Sequence, residues 1–261
     1  MESKPNFTIF SVHHKFFALP NVGYIKPIHA GKKISAITLP FEGDDGIENI
    51  SHLNKNFAEL TVLYHIWKNY KKEEIPYWGL CHYRRYFCLP QPPFFNKRLY
   101  KFKDADKAFG MIFTPSLEKK ITEKLQYGYI ILPKKYYFIK LKKWSVKKQF
   151  IKDHNEESWL ATEDAIKKLY PHYYNSIGSF MNGYSCSWYN MAIANYDFWN
   201  RYLTFLFTIL FEVQKNIIIP ETPTMIRVLG NISERLLPAY IYHYQMQKKL
   251  KVYYLPVAEI R

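Results

Sequence analysis

Tyr77-Trp78-Gly79-Leu80-Cys81-His82-Tyr83-Arg84-Arg85-Tyr86-Phe87 is the stretch on which the fold of this 261-residue chain turns. Its first five residues are aromatic, aliphatic or small, the composition of a buried central strand. The chain passes without a spacer into His-Tyr-Arg-Arg-Tyr, so the strand carries a cationic cluster at its carboxyl end. Ligands in α/β folds bind at that end of the sheet. Arg is scarce here, seven of 37 basic residues, and its planar fork of donors matches phosphate oxygens better than the point charge of Lys. Arg84 and Arg85 therefore suit a diphosphate; an internal ion-pair cluster is the structural alternative.

Working outward, residues 7–12 form a short β-branched and aromatic run ending in His13-His14-Lys15, a second strand with a polar loop at its end. Residues 54–70 place Phe57, Leu60, Leu63, Tyr64 and Trp67 at helical spacing and predict a helix laid on the sheet. Downstream, strands are expected at 108–113 and 129–132, and helices at 117–126 and 157–169. A strand-like pattern covers 188–194, and a strongly apolar helix covers 198–213. A last helix, over 231–250, should kink or break at Pro238. Strands alternating with helices indicate one α/β domain across residues 1–261, with a mostly parallel central sheet.

The formal charge of +15 favours anionic partners, although no helix-turn-helix, RNA-recognition or OB pattern accompanies it, which argues against nucleic acid. Cys81, Cys88 and Cys186 make neither a disulfide framework nor a zinc spacing, as expected in a reducing compartment. The amino terminus lacks the apolar core of a signal peptide, and the apolar run 202–213 is too short to span a bilayer. Within 134–152, Lys134, Lys135, Lys140, Lys142, Lys143, Lys147 and Lys148 interleave with Tyr136, Tyr137, Phe138 and Trp144, which suits an anionic membrane surface or a solvated helix face.

Asp44, Asp45 and Glu48 crowd one turn-rich loop, where they could order sugar hydroxyls, hold a metal or act as a base. A second Arg pair, Arg227 and Arg235, lies in a late block that also holds Glu234. The Asp-x-Asp at Asp104-Ala105-Asp106 precedes the hydrophobic run expected as a strand instead of following one, so no divalent metal or other cofactor is expected. Glycine-rich phosphate loops and paired metal-binding histidines are absent from the sequence.

The blocks Phe10-Ser11-Val12-His13-His14-Lys15, Asn49-Ile50-Ser51 with Asn54, Glu59-Leu60-Thr61 with Trp67-Lys68-Asn69, and Gly79 through Phe87 resemble the capsule and lipopolysaccharide biosynthesis family first catalogued as a domain of unknown function. His154, Asn190-Met191, Arg227, Gly230 and Glu234-Arg235-Leu236-Leu237 extend the resemblance over nearly the whole chain. That family includes galactofuranosyltransferases with a GT-A-like fold. The resemblance implies transfer of a sugar, galactofuranose among the candidates, from a UDP-sugar to a lipid-linked surface polysaccharide, in the cytoplasm, peripheral to the inner face of the inner membrane; single displacement with inversion is the expected mechanism. On that reading His13, Lys15, Asn54, His82, Arg84, Arg85, Arg227 and Arg235 bind the donor, and His154 and Asn190 the acceptor. The catalytic base is one of Asp44, Asp45, Glu48 and Glu234, with Asp45 favoured. Glu48 stands where the resemblance leads one to expect Asp. The competing reading is a non-catalytic nucleotide- or glycan-binding subunit of a polysaccharide assembly complex.

Overall fold

The structure, a computed structural model, describes residues 6–93, 96–138, 144–223 and 225–261. The amino-terminal reading on residues 1–5, and Lys140, Lys142 and Lys143 of the basic segment, lie outside them. The first part of the chain forms β1 (Thr8–His13), β2 (Ile25–His29), α1 (Asn54–Phe57), α2 (Leu60–Asn69), β3 (Tyr77–His82), β4 (Arg85–Phe87) and β5 (Leu99–Phe102). Next come α3 (Ala105–Ile112), α4 (Pro115–Gln126), β6 (Tyr129–Pro133), β7 (Tyr136–Tyr137), α5 (Val146–Asp153), α6 (Glu156–Leu169) and α7 (Pro171–Met181). The chain closes with β8 (Ser185–Cys186), β9 (Ile193–Asn195), α8 (Tyr196–Asn216), α9 (Val228–Met246), β10 (Lys251–Leu255) and β11 (Val257–Ile260).

The expected α/β architecture is present, and β3 is the branch point of its nine-stranded sheet. One edge of β3 pairs along its length with β1, which pairs in turn with β2, all parallel. The other edge is shared. Its first half meets β9, leading to β6 and β10; its end folds back through the Tyr83-Arg84 turn into β4, leading to β11 and β5. β1, β2, β3, β5, β6, β10 and β11 run one way, and β4 and β9 run against them. The strands are mostly co-directional, as expected. Of the two antiparallel neighbours on this edge of β3, β4 is so because a two-residue turn can only return the chain antiparallel, and β9 arrives from far along the chain.

Side chains alternate across β1 and β3, and each face buries a different set of helices. Phe10, Val12, Trp78 and Leu80 join the core under α2, α6, α7, α8 and α9. Ile9, Cys81 and Tyr86 join the core under α3 and α4. Trp199 of α8 stacks on Trp78 with ring centres 4.5 Å apart, and its indole N–H donates to the Trp78 carbonyl at 2.7 Å. Gly79 lets β9 approach: a Cβ there would lie 2.3 Å from the Ala192 carbonyl oxygen.

Three expectations need correction. Of residues 108–113, Ala108 to Ile112 are helical, in α3, and Phe113 ends it; Asp104 accepts from the Lys107 N–H at 3.0 Å and caps the helix, so the first Asp of the Asp-x-Asp pair is a cap. The strand expected over 188–194 is confined to β9. α9 runs through Pro238 without a break. Among the described residues no helix is long and apolar enough to cross a membrane.

Candidate functional site

A cleft of about 520 Å³ opens at the carboxyl ends of β1 and β3, bounded by the turn after β3, the junction of α1 with α2, and the start of α9. One wall is cationic. His82 donates from Nε2 to the Tyr189 carbonyl at 2.6 Å, which fixes its tautomer because a carbonyl only accepts. Tyr83 is held by its N–H to the Val12 carbonyl at 3.0 Å, and the Arg84 guanidinium lies 5.0 Å from its ring centre. Arg84 and Arg227 both line the cleft, and neither makes an ion pair among the described residues. Arg85 differs: it pairs with Glu259 at 3.2 Å and lies over the Tyr189 ring. His14 also lines this wall, its pKa held below the usual range by burial and by the nearby Arg227, Lys15, Arg84 and His82 charges, so it faces the cleft as a neutral ring.

A second part of the wall carries two carboxylates, Glu59 and Glu234. Burial pushes the Glu234 carboxyl up to about 7 and the Glu59 charge adds to this, while Arg235, a backbone contact from Tyr189 and Arg85 pull the other way. The Glu234 side chain keeps 22% of its surface open. Arg235 pairs with it at 3.2 Å from behind and is itself buried, donating to the Asn231 carbonyl and to Gln149 Oε1 with its guanidinium over Trp188 and Phe150. Pro238, four residues after Glu234, has no N–H to give the Glu234 carbonyl, and the Cys186 thiol approaches that oxygen instead at 3.8 Å. Asn190 ties the wall together. Its Nδ2 donates to Glu59 Oε1 at 2.7 Å and to the Gly230 carbonyl, and its Oδ1 accepts from Ser233 Oγ at 2.9 Å.

Backbone strain gathers at this wall. Ala58, Tyr189 and Asn190 have φ of 49°, 79° and 51°, a region costly to residues with a Cβ, and Ala58 and Tyr189 line the cleft.

Of the residues singled out from sequence, the structure brings Asn54, His82, Arg84, Arg85, Arg227 and Glu234 to the cleft. Asp44 is fully buried and accepts from Gly31 N, Lys32 N, Ser51 Oγ and Thr61 Oγ1 at 2.7, 3.0, 2.5 and 2.5 Å. Those donors occupy all of its lone pairs, so the base role offered to it is corrected to a structural one. Asp45 pairs with Lys32, and Glu48 is exposed beside Asn69; neither lines the cleft. His13 is buried against Ser11, Phe41 and Tyr83, and Lys15 lies over the Tyr83 ring outside the lining. Arg235, His154 and Asn190 stand behind the wall; His154 reaches it through Asn231, 3.4 Å away. His14, Glu59, Tyr189 and Asn231 line the cleft without having been singled out as site residues, although Glu59 sits in one of the recognised blocks. Among the described residues no group of three His, Cys, Asp or Glu side chains is placed to hold a metal ion.

Residues 8–247 match the family described as a domain of unknown function, DUF4422. The fold is similar to a solved structure described as the WbbM bifunctional glycosyltransferase in its apo form, with a TM-score of 0.88 and 30% sequence identity. The similarity covers 97% of this chain and 45% of that one, so the chain spans less than half the length of that protein. No curated protein sequence matches.

Proposed function

The chain belongs to the DUF4422 family, and from that premise we propose that it is a glycosyltransferase working from a UDP-sugar donor. The observation that carries the reading is the division of one cleft into a wall with unpaired guanidinium groups and a wall with a carboxylate whose pKa is near neutrality. A nucleoside diphosphate is the leaving group of such a transfer. Arg84 and Arg227, which make no ion pair among the described residues, suit its phosphate oxygens, and neutral His14 can donate beside them. Because cationic side chains can supply this stabilisation, the reaction needs no bound divalent metal. Glu234 takes the proton from the acceptor hydroxyl as that oxygen attacks the anomeric carbon and UDP departs, a single displacement with inversion. This assigns the base to Glu234 in place of Asp45.

The donor sugar is galactofuranose and the acceptor a lipid-linked bacterial surface glycan, met at the anionic inner face of the membrane. These rest on the family resemblance together with the fold of the glycosyltransferase neighbour. The test is direct. UDP-galactofuranose should raise the melting temperature of the purified chain, and UDP should be released only when a lipid-linked acceptor is added. Turnover should climb with pH through about 7 as Glu234 loses its proton, and EDTA should leave it unchanged. Binding of the sugar nucleotide with no release of UDP at any pH would favour the non-catalytic subunit instead.

A further inference from the structure

The geometry points to Glu59 as a second working carboxylate of the cleft, one that grips a ring hydroxyl of a sugar beside Glu234. This rests on the glycosyl-transfer reading above and adds a residue to it. Glu59 stands at the start of α2, directly after the strained Ala58, and lines the cleft. One oxygen, Oε1, is taken by the Asn190 amide, which is itself fixed by Ser233 and Gly230 in the same helix as Glu234. Among the described residues the other oxygen, Oε2, accepts no hydrogen bond, and Glu59 makes no ion pair.

A carboxylate aimed by one amide, with an oxygen left over and no ion pair among the described residues, has room for further donors from a ligand. Phosphate oxygens cannot supply them and would be repelled. A polyhydroxyl ring can, so the acidic wall takes the sugar while the guanidinium wall takes the diphosphate. The strain at Ala58, Tyr189 and Asn190 is consistent with this, since all three hold the backbone that aims Glu59 and closes this wall.

The charged and titratable groups around Glu234 are Arg235 on its own helix, Glu59 at the start of α2, Arg85 on β4, Tyr189 before β9 and Cys186 on β8, with His14, Lys55, His82, Arg84 and Arg227 along the rest of the cleft. Of these, Glu59 is the nearby negative charge. Replacing it with an amide of the same shape removes that charge and leaves an oxygen for Asn190, so the fold is kept.

The experiment is steady-state kinetics of Glu59→Gln and Glu59→Asp, with calorimetric binding of UDP. For Glu59→Gln we expect unchanged UDP affinity and a KM raised roughly 10-fold or more. A rise for the UDP-sugar places the hydroxyl on the donor, and a rise for the glycan places it on the acceptor. The rising limb of the pH–rate profile should also move to lower pH, because Glu234 no longer has a like charge beside it. Glu59→Asp keeps the charge and shortens the reach, so it should raise KM and leave the limb in place. Normal KM for both substrates in Glu59→Gln, or an unmoved limb, overturns the proposal while the transferase reading stands. A wild-type chain that binds UDP-sugar and never releases UDP removes both.

Discussion

The acidic loop around Asp44 and the first turns of α9 both place carboxylates near the carboxyl end of the sheet, yet they use them in opposite ways. In the loop, the carboxylates serve the fold. Asp44 accepts four hydrogen bonds from the backbone and hydroxyls of its surroundings, Asp45 is paired with Lys32, and Glu48 faces solvent. In α9, Glu234 has one buried Arg behind it and open space before it, and its proton affinity rises accordingly. What separates a structural acid from a reactive one is the number of donors that reach it, not how many acids stand together in the sequence.

That contrast can be broken by substitution, and the largest effect should come from Glu234→Gln. Loss of a general base should lower turnover about 100- to 10,000-fold with UDP affinity intact, while Asp45→Asn and Glu48→Gln stay within about threefold of wild type. Normal turnover in Glu234→Gln, or collapse in Asp45→Asn, would reverse the assignment. Asp44→Asn should instead act on stability. Its amide turns a donor toward groups that can only donate, and urea denaturation should show a loss of about 2–4 kcal/mol.

The two guanidinium groups of the turn sharpen the same point on the cationic wall. Arg84 has no ion pair among the described residues, whereas Arg85 is tied to Glu259, so calorimetry should show UDP affinity falling about 10- to 100-fold in Arg84→Ala and less in Arg85→Ala. Equal losses would mean that Arg85 leaves Glu259 for the ligand. The smallest effect concerns His13, which belongs with Asp44 among the residues used by the fold. Burial lowers its pKa from 6.5 to about 4, so the folded chain keeps it neutral. The stability this gives is full above about pH 6.5, where the unfolded chain is neutral too, and is lost as pH falls through that value toward about 4. Between pH 7 and pH 5 the loss should be about 1 to 2 kcal/mol, and His13→Gln should flatten it; an equally steep decline in that variant would place the acid sensitivity elsewhere.

Elements whose pattern is set by their own residues were legible in the sequence. β1, β3 and β6, and the helices α2, α4, α6 and α8, all carry a local periodicity that their burial then obeys. Elements defined by distant partners were not. β2 contains Pro27, tolerable because β2 lies at the sheet edge, where β1 is the strand it pairs with and the loop beyond meets it at His29 and not at Pro27. β10 and β11 exist because β6, β4 and β5 receive them. The helix over α3 was misread because Ala-Phe-Gly-Met-Ile-Phe suits either period, and the deciding cap, Asp104, lay just outside the run. At the site, the sequence marked Arg84, Arg227 and Glu234. It could not show that Asp44 is fully hydrogen-bonded or that Glu59 keeps an oxygen free, since those facts depend on Gly31, Thr61 and Asn190 arriving from elsewhere in the chain.

Pro238 makes two distant positions answerable to each other. By withholding an N–H from the carbonyl of Glu234, it leaves an acceptor to which the thiol of Cys186, on strand β8, offers a proton that it shares with the Ser187 carbonyl. A residue with an N–H at 238 would compete for the same oxygen, and a side chain without a donor at 186 would strand it. The two positions should therefore be non-additive in a double-mutant cycle and should drift together among relatives, each answering to one carbonyl of the helix that carries Glu234.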